Sequence, residues 1–201
     1  MSRFPSERIS QPGKAAKVLR VAAHLYLQEP RIEIVWHLKQ QLQDELLGSL
    51  ALDDSLETLQ REYDDLFFIP VSGRYLPPFE SVQREKHLCG PLTYQVARVY
   101  QACNFVTQKV PASSLWQTQF VPDHLGYELA FVEALLKRRE TAISPTARQE
   151  LDETLQQFWQ RHPAQWVPAY GQRLVDNAQT GLYRFLGLLT EAIGHEEESY
   201  W

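Results

Sequence analysis

The sequence predicts an all-α fold, with residues 1–201 forming a single domain of about eight helices. Apolar residues recur three or four positions apart in most segments, which is the spacing of one helix face. No stretch alternates convincingly between apolar and polar residues, as a half-buried strand would. Prolines and glycines stand where these periodic segments end, so the breaks between helices can also be placed.

Three helices are predicted in the first third of the chain. The first covers residues 14–29 and ends at Pro30, and the second covers residues 31–48. The third begins with the acids of residues 53–54, which can cap free backbone amides, and stops at Pro70. Each segment carries one apolar face, so all three helices should pack on a common core.

The middle of the chain is predicted to be less regular. Residues 70–79, PVSGRYLPPF, contain three prolines and a glycine and should form a stiff loop that can present side chains. A short helix is expected over residues 80–88, and another begins at Pro91, a good first helical residue. The polar residues 106–121 are expected to form a linker that could act as a hinge.

The last third is predicted to be helical again. One helix runs from Pro122 to about Arg139, and the next covers residues 144–160, with a serine cap and a first-turn proline. A helix follows Pro168, and the last covers residues 182–193. The tail, residues 195–201, reads HEEESYW and is expected to be frayed. Trp36 and Trp159 are assigned to the core, where most tryptophans lie.

Composition excludes several classes of protein. The chain is 44% hydrophobic and 22% charged, which is typical of a globular protein, and its net charge of -5 argues against general nucleic-acid binding. A basic partner fits this charge better. The longest apolar run is too short to span a bilayer, and the first seventeen residues lack a secretory leader, so a cytoplasmic location is expected. Cys89 and Cys103 have no metal or redox spacing and should be reduced.

Motifs for common chemistry are absent. The sequence has no phosphate-binding loop, no dinucleotide fingerprint, no nucleophile elbow and no HExxH zinc motif, so no cofactor is predicted. His124 and Glu128 share one helix face, with Asp123 adjacent, and a small metal-dependent helical enzyme is therefore one alternative. A helical regulator or scaffold is another. A charged histidine at a helix start is electrostatically disfavoured, which makes His124 the residue to explain.

Four segments carry a family resemblance. REYDDLFFIP, LPPFESV, VPDHLGYELAFVEALL and GLYRFLGLL occur in the order and rough spacing of the TorD/DmsD/NarJ family of redox enzyme maturation chaperones, which the chain resembles over residues 56–190. The resemblance implies an all-helical cytoplasmic chaperone, monomeric or domain-swapped. It would bind the twin-arginine leader and the apo form of a molybdopterin-dependent oxidoreductase subunit until cofactor insertion is complete, which proofreads the subunit before export.

The resemblance also implies which residues bind the leader. Carboxylates would accept the guanidinium groups of the two arginines, and an apolar groove would hold the segment that follows them. In place of the glutamate that many members carry before the signature proline, this chain has Phe120 and Val121, which leaves the client open. The positions that match the family's peptide-binding residues are Tyr63, Leu66, Pro78, Asp123 and His124. Phe67, Glu80 and Ser81 are added to the predicted site because they adjoin these positions or belong to the loop motif.

Overall fold

The computed structural model describes residues 12–42 and 53–195, and over these residues the predicted all-α fold is confirmed. Within them the only β-type pairing is one isolated bridge. The helices are α1 (Pro12–Leu27), α2 (Ile32–Leu42), α3 (Leu56–Phe67), α4 (Glu80–Glu85), α5 (Pro91–Ala102), α6 (Ser114–Thr118), α7 (Leu125–Thr141), α8 (Pro145–Arg161), α9 (Val167–Asn177) and α10 (Gly181–His195).

Most helix limits lie within a few residues of those predicted, because caps and prolines act locally. The serine cap of α8 is observed, since the Ser144 hydroxyl accepts a hydrogen bond from the amide of Ala147. At the start of α3 the cap is Ser55 rather than the acids before it. The predicted end of the second helix at residues 43–48 lies outside the described residues. Of the predicted frayed tail, residues 195–201, His195 is the last residue of α10, and residues 196–201 lie outside the described residues.

The predicted linker at residues 106–121 contains more structure than expected. It includes a 3-10 turn at Thr107–Lys109 and the short helix α6, which begins at the Ser113 cap. Trp116 of α6 is buried against the ring of Phe68, with the two ring centroids 4.2 Å apart. A polar pattern is therefore compatible with a packed segment when one large side chain fixes it to the core.

Two close helix contacts determine how the bundle is assembled. α1 packs against α7, and α9 packs against α10. A Cβ atom on Gly126 would lie 2.5 Å from Cγ of Leu27, and one on Gly171 would lie 2.4 Å from the backbone nitrogen of Glu191. A side chain at either glycine would force the helices apart, so these positions fix the start of α7 and the antiparallel α9–α10 pair.

Buried tyrosines connect the elements of the core by hydrogen bonds. The hydroxyl of Tyr26 lies 2.8 Å from that of Thr190, and the hydroxyl of Tyr170 donates to the carbonyl of Leu76. Because these polar atoms have partners, large aromatic side chains can be buried without a desolvation cost. Trp159 is buried as predicted.

The prediction that Trp36 lies in the core is wrong. Its side chain is 55% exposed. It is on α2, where Val35 and Leu38 point inward and Trp36 lies on the opposite side of the helix. Within the described residues, no helix is both long enough and apolar enough to cross a membrane.

Candidate functional site

Two of the motif segments, forty residues apart in sequence, lie side by side. Phe79 and His124 form an antiparallel bridge, and the amide of Glu80 donates to the carbonyl of Asp123 at 2.9 Å. The amide of Leu125 donates to the carbonyl of Pro78 at 2.8 Å. These residues, 78–81 and 121–125, form what we term the motif junction. It joins the start of α4 to the start of α7.

Asp123 caps α4 rather than its own helix. α7 begins at Leu125, three residues later than predicted, so Asp123 precedes the first helical turn in which it was expected. Its Oδ2 atom accepts a hydrogen bond of 2.7 Å from the amide of Ser81, one of the free donors at the start of α4. Burial raises the pKa of the Asp123 carboxyl, and hydrogen bonding by Ser81 and Thr93 opposes that shift.

His124 is the N-cap of α7. Its Nδ1 atom accepts a hydrogen bond of 3.1 Å from the amide of Gly126, and its ring lies 4.5 Å from that of Trp116 and 5.1 Å from that of Phe79. Burial lowers the pKa of His124 to about 3, so the imidazole is neutral. A charged imidazole would be electrostatically disfavoured at a helix start. A neutral ring is instead a suitable acceptor for a free helix amide.

A buried ion pair lies next to the junction. Glu80, on the first turn of α4, contacts the guanidinium of Arg84 one turn later, and its other oxygen lies 2.8 Å from Nδ1 of His162. Arg84 also donates to the carbonyl of Arg161 at 2.9 Å. The Arg84 side chain is 29% exposed whereas that of Glu80 is fully buried, so Arg84 extends from the surface to an interior carboxylate.

Glu128 is a second interior carboxyl, one turn into α7. It is fully buried, and neither carboxylate oxygen makes a hydrogen bond of normal geometry within the described residues. Burial raises the pKa of Glu128 well above its usual value, and the charges of Glu80 and Asp123 add to the shift. We refer to Glu80, Asp123 and Glu128 as the buried acid cluster. Arg84 is the only arginine or lysine that forms an ion pair with it in the described part of the chain.

The apolar candidates lie deeper in the molecule. Leu66 and Phe67 lie on the face of α3 that packs in the hydrophobic core, and Leu66 is fully buried. The hydroxyl of Tyr63 donates to the carbonyl of Tyr26 and accepts from the indole nitrogen of Trp116 at 2.7 Å. Because Trp116 also contacts the ring of His124, Tyr63 is connected to the motif junction through this tryptophan.

The structure therefore divides the predicted site residues into two groups. Pro78, Glu80, Ser81, Asp123 and His124 meet at the motif junction, and the three α3 residues lie behind Trp116. All eight are buried in this conformation. Whether they contact a leader stays a prediction.

Sequence reasoning missed three features of this region, namely Arg84, His162 and the isolation of Glu128. The spacing of Glu80 and Arg84 could have indicated their pairing, because side chains four apart meet on a helix. No local signal indicated His162, which is 82 positions from its partner.

The metal-site alternative receives no geometric support. Among the described residues, no group of three or more histidine, cysteine, aspartate or glutamate side chains is arranged to hold a metal. Asp123 and His124 are each hydrogen-bonded to a helix amide, through Oδ2 and Nδ1 respectively.

Comparison with known proteins identifies the family. A family model described as "Nitrate reductase delta subunit" matches residues 33–170, more than half of the chain and all eight predicted site residues. A crystal structure of a candidate redox enzyme maturation protein from Archaeoglobus fulgidus is 19% identical, covers 70% of this chain and 91% of that one, and has a TM-score of 0.44. No protein of curated function matches significantly. The predicted resemblance is confirmed, and the chain belongs to the nitrate reductase delta subunit family, whose members are redox enzyme maturation chaperones and not enzymes.

Proposed function

We propose that this chaperone binds the twin-arginine leader and the apo form of a molybdopterin-dependent oxidoreductase subunit in the cytoplasm, before cofactor insertion and export. The observation that carries the proposal is the motif junction, which brings together family-motif residues that are distant in sequence. Beside it lie three buried carboxyls whose only paired arginine or lysine, within the described residues, is Arg84. A ligand that supplies guanidinium groups would balance this excess of acid.

Arg84 indicates how a leader arginine would reach the buried acids. Its guanidinium contacts Glu80 while the rest of the side chain reaches the surface, so the same path is long enough for an arginine from outside. An incoming arginine would take the place of Arg84 at Glu80 or pair with Glu128. Guanidinium groups suit this role because they remain charged when buried and donate several hydrogen bonds in one plane.

The apolar segment of the leader would lie along partly exposed aromatic rings beside the junction. Phe68 stacks on Trp116 and is half-buried, and Phe120, which is 39% exposed, packs edge-on against Tyr127. Tyr127 in turn donates to the carbonyl of Trp116. Of the α3 residues, Tyr63 contacts these rings, since its ring centroid lies 5.5 Å from that of Phe68 and its hydroxyl accepts from Trp116. Tyr63 would therefore support the groove from below.

A peptide titration tests this proposal. A labelled leader peptide with two arginines and a following apolar segment should bind the protein, and replacing both arginines by glutamine should weaken binding. Asp123→Asn should reduce affinity by about tenfold to a hundredfold, the loss of one charge-assisted contact. Arg84→Ala should increase affinity because it removes the competing guanidinium, whereas Arg98→Ala, on the exposed face of α5, should leave affinity unchanged.

Each variant's denaturation midpoint separates binding from folding. Asp123→Asn also loses part of a helix cap, which costs about 0.5 to 2 kcal/mol of stability. If its affinity is unchanged while its stability falls, Asp123 is a helix cap and has no role in leader binding. High salt should weaken but not abolish leader binding, since screening affects ion pairs and leaves apolar burial intact. Equal binding of the arginine and glutamine peptides would contradict the proposal.

A further inference from the structure

A groove on another face of the molecule carries charge of the opposite sign. It lies between α1, α7 and residues 104–111, and it holds about 560 Å³. None of the predicted leader-binding residues contributes to it. We term it the basic groove, and its lining residues are Arg20, Ala23, His24, Leu27, Asn104, Phe105, Val106, Lys109, Val110, Pro111, Ala130, Glu133, Ala134, Lys137 and Arg138.

The charge of this groove is positive although the chain is acidic overall. Four lining residues are lysine or arginine and one is an acid, so the groove carries 4 - 1 = +3 with His24 neutral, against -5 for the whole chain. Glu133 contacts two of the cations, since its Oε1 atom lies 2.8 Å from Nε of Arg20 and 2.5 Å from Nζ of Lys137. Within the described residues, Lys109 and Arg138 have no carboxylate partner.

The cations are distributed over both sides of the groove. Arg20 and Lys137 meet at Glu133, between α1 and α7. Arg138 lies toward the 104–111 segment, where its guanidinium donates to the carbonyls of Cys103 and Asn104 at 2.6 and 3.4 Å. A single compact phosphate would favour cations that converge on one point, whereas cations at two places suit an extended ligand with several negative charges.

Most of the remaining lining is apolar, and much of it is small. Ala23 on α1 and Ala130 and Ala134 on α7 leave room above the helix contact, and Phe105 and Val110 form the facing wall. His24 adds a polar atom, because its Nε2 is buried and has no hydrogen-bond partner within the described residues. The groove thus offers apolar contact, one unused hydrogen-bonding group and surrounding positive charge.

We propose that the basic groove binds an acidic peptide segment that also carries apolar side chains. Its carboxylates would pair with Lys109, Arg138 and the Arg20–Lys137 pair, and its apolar side chains would cover the alanine floor. A twin-arginine leader is repelled by this surface, so the groove holds a different segment from the one proposed for the motif junction. The chaperone then contacts a partner at two places of opposite charge, and the two contacts can be tested separately.

The test uses the full chain and two labelled peptides. One is a short peptide of glutamate, leucine and phenylalanine, and the other is the same peptide with glutamine in place of glutamate. The acidic peptide should bind, more weakly as salt rises, and the glutamine peptide should bind less well. The double variant Lys109→Glu/Lys137→Glu should weaken acidic-peptide binding by about tenfold or more, as expected when opposed charges become like charges.

Matched controls keep the result interpretable. Arg98→Glu introduces a charge reversal on α5, outside the groove, and should leave binding of the acidic peptide unchanged. The double variant loses the Lys137–Glu133 pair, so its denaturation midpoint should fall slightly, but it should stay folded and retain its affinity for a twin-arginine leader peptide. Loss of both peptide affinities in a variant that is still folded would show that the groove is not a separate site and would overturn the inference.

Three further outcomes would overturn it. Equal affinities for the acidic and glutamine peptides would show that the peptide's negative charge does not contribute to binding. Displacement of the acidic peptide by inorganic phosphate or a nucleotide at lower concentration than by unlabelled peptide would make this a small-anion site. Residues 196–201 are themselves EEESYW, and if the peptide binds only after they are deleted, the groove belongs to the chain's own tail.

Discussion

Glu62 and Glu128 are both buried glutamates, but their surroundings differ. Glu62, on α3, accepts hydrogen bonds from Arg74 at 2.7 Å and from the amides of Gln179 and Thr180 at 2.6 and 2.9 Å. Glu128, on α7, has no hydrogen bond of normal geometry within the described residues and lies near two other acids. The carboxylate oxygens of Glu62 therefore have donors, whereas burial without such donors favours the protonated form of Glu128.

The difference separates a structural region from a candidate functional one. Glu62 joins α3, the loop that carries Arg74, and the residues just before α10, so its contacts fasten three elements that are distant in sequence. Glu128 lies near Trp166 and Glu80, but within the described residues it makes no hydrogen bond of normal geometry that joins two elements. Natural proteins seldom leave a buried acid without a partner, and such groups are concentrated at functional sites.

Removing Glu62 should have the largest effect on stability. Glu62→Ala leaves two backbone amides without their acceptor and leaves Arg74 with Asp65 as its remaining carboxylate partner. Loss of one partner of a buried pair costs about 3 to 5 kcal/mol. Chemical denaturation followed by circular dichroism measures this. The control is Glu57→Ala, which removes an exposed pair with Arg61 on the same helix and should cost less than about 0.5 kcal/mol. Equal losses for the two variants would contradict the structural role assigned to Glu62.

Leu66→Ala should come next. The side chain is fully buried in α3, so its truncation should cost about 2 to 5 kcal/mol of stability. The family resemblance instead predicts weaker leader binding with the fold retained. Measuring the denaturation midpoint and the leader affinity of the variant decides between these roles. Leu88→Ala is the control, because Leu88 is 49% exposed and should change stability by no more than about 0.5 kcal/mol. If the variant is stable but binds the leader poorly, Leu66 contributes to the leader-binding groove and not mainly to the core.

Glu128→Gln should have the smallest effect, and it should depend on pH. Burial raises the pKa of Glu128 in the folded state well above its ordinary value of 4.5, so the folded state binds this proton more tightly than the unfolded state. Its contribution to stability is therefore greatest below about pH 4.5 and is lost as pH rises through the folded-state pKa. Glutamine does not titrate, so the variant should lose less stability than the wild type between mildly acidic and alkaline pH.

Denaturation midpoints at several pH values measure this difference. Glu150→Gln, at an exposed position of α8, is the matched control and should follow the wild type. Parallel midpoint curves for wild type and Glu128→Gln would show that Glu128 keeps the same charge in the folded and unfolded states. That result would contradict the raised pKa assigned to the buried carboxyl of Glu128.

The sequence by itself determined the helices and the family. Apolar spacing, the Ser144 cap and the proline at the first position of α5 act within a few residues, so these elements could be located without knowing what packs against them. The motif segments likewise named residues that the structure brings together, including Glu80, Asp123 and His124. Their order along the chain was sufficient to indicate a maturation chaperone, which the family match confirms.

Only the tertiary structure decided what those residues contact. Asp123 caps α4, a helix that begins 43 residues before it, and Glu80 lies against His162, 82 positions away. No local pattern encodes such pairings, because hydrogen-bond partners and burial depend on which distant segments meet. Burial in turn sets protonation, which is why His124 is neutral and can cap α7 where a charged ring would be disfavoured.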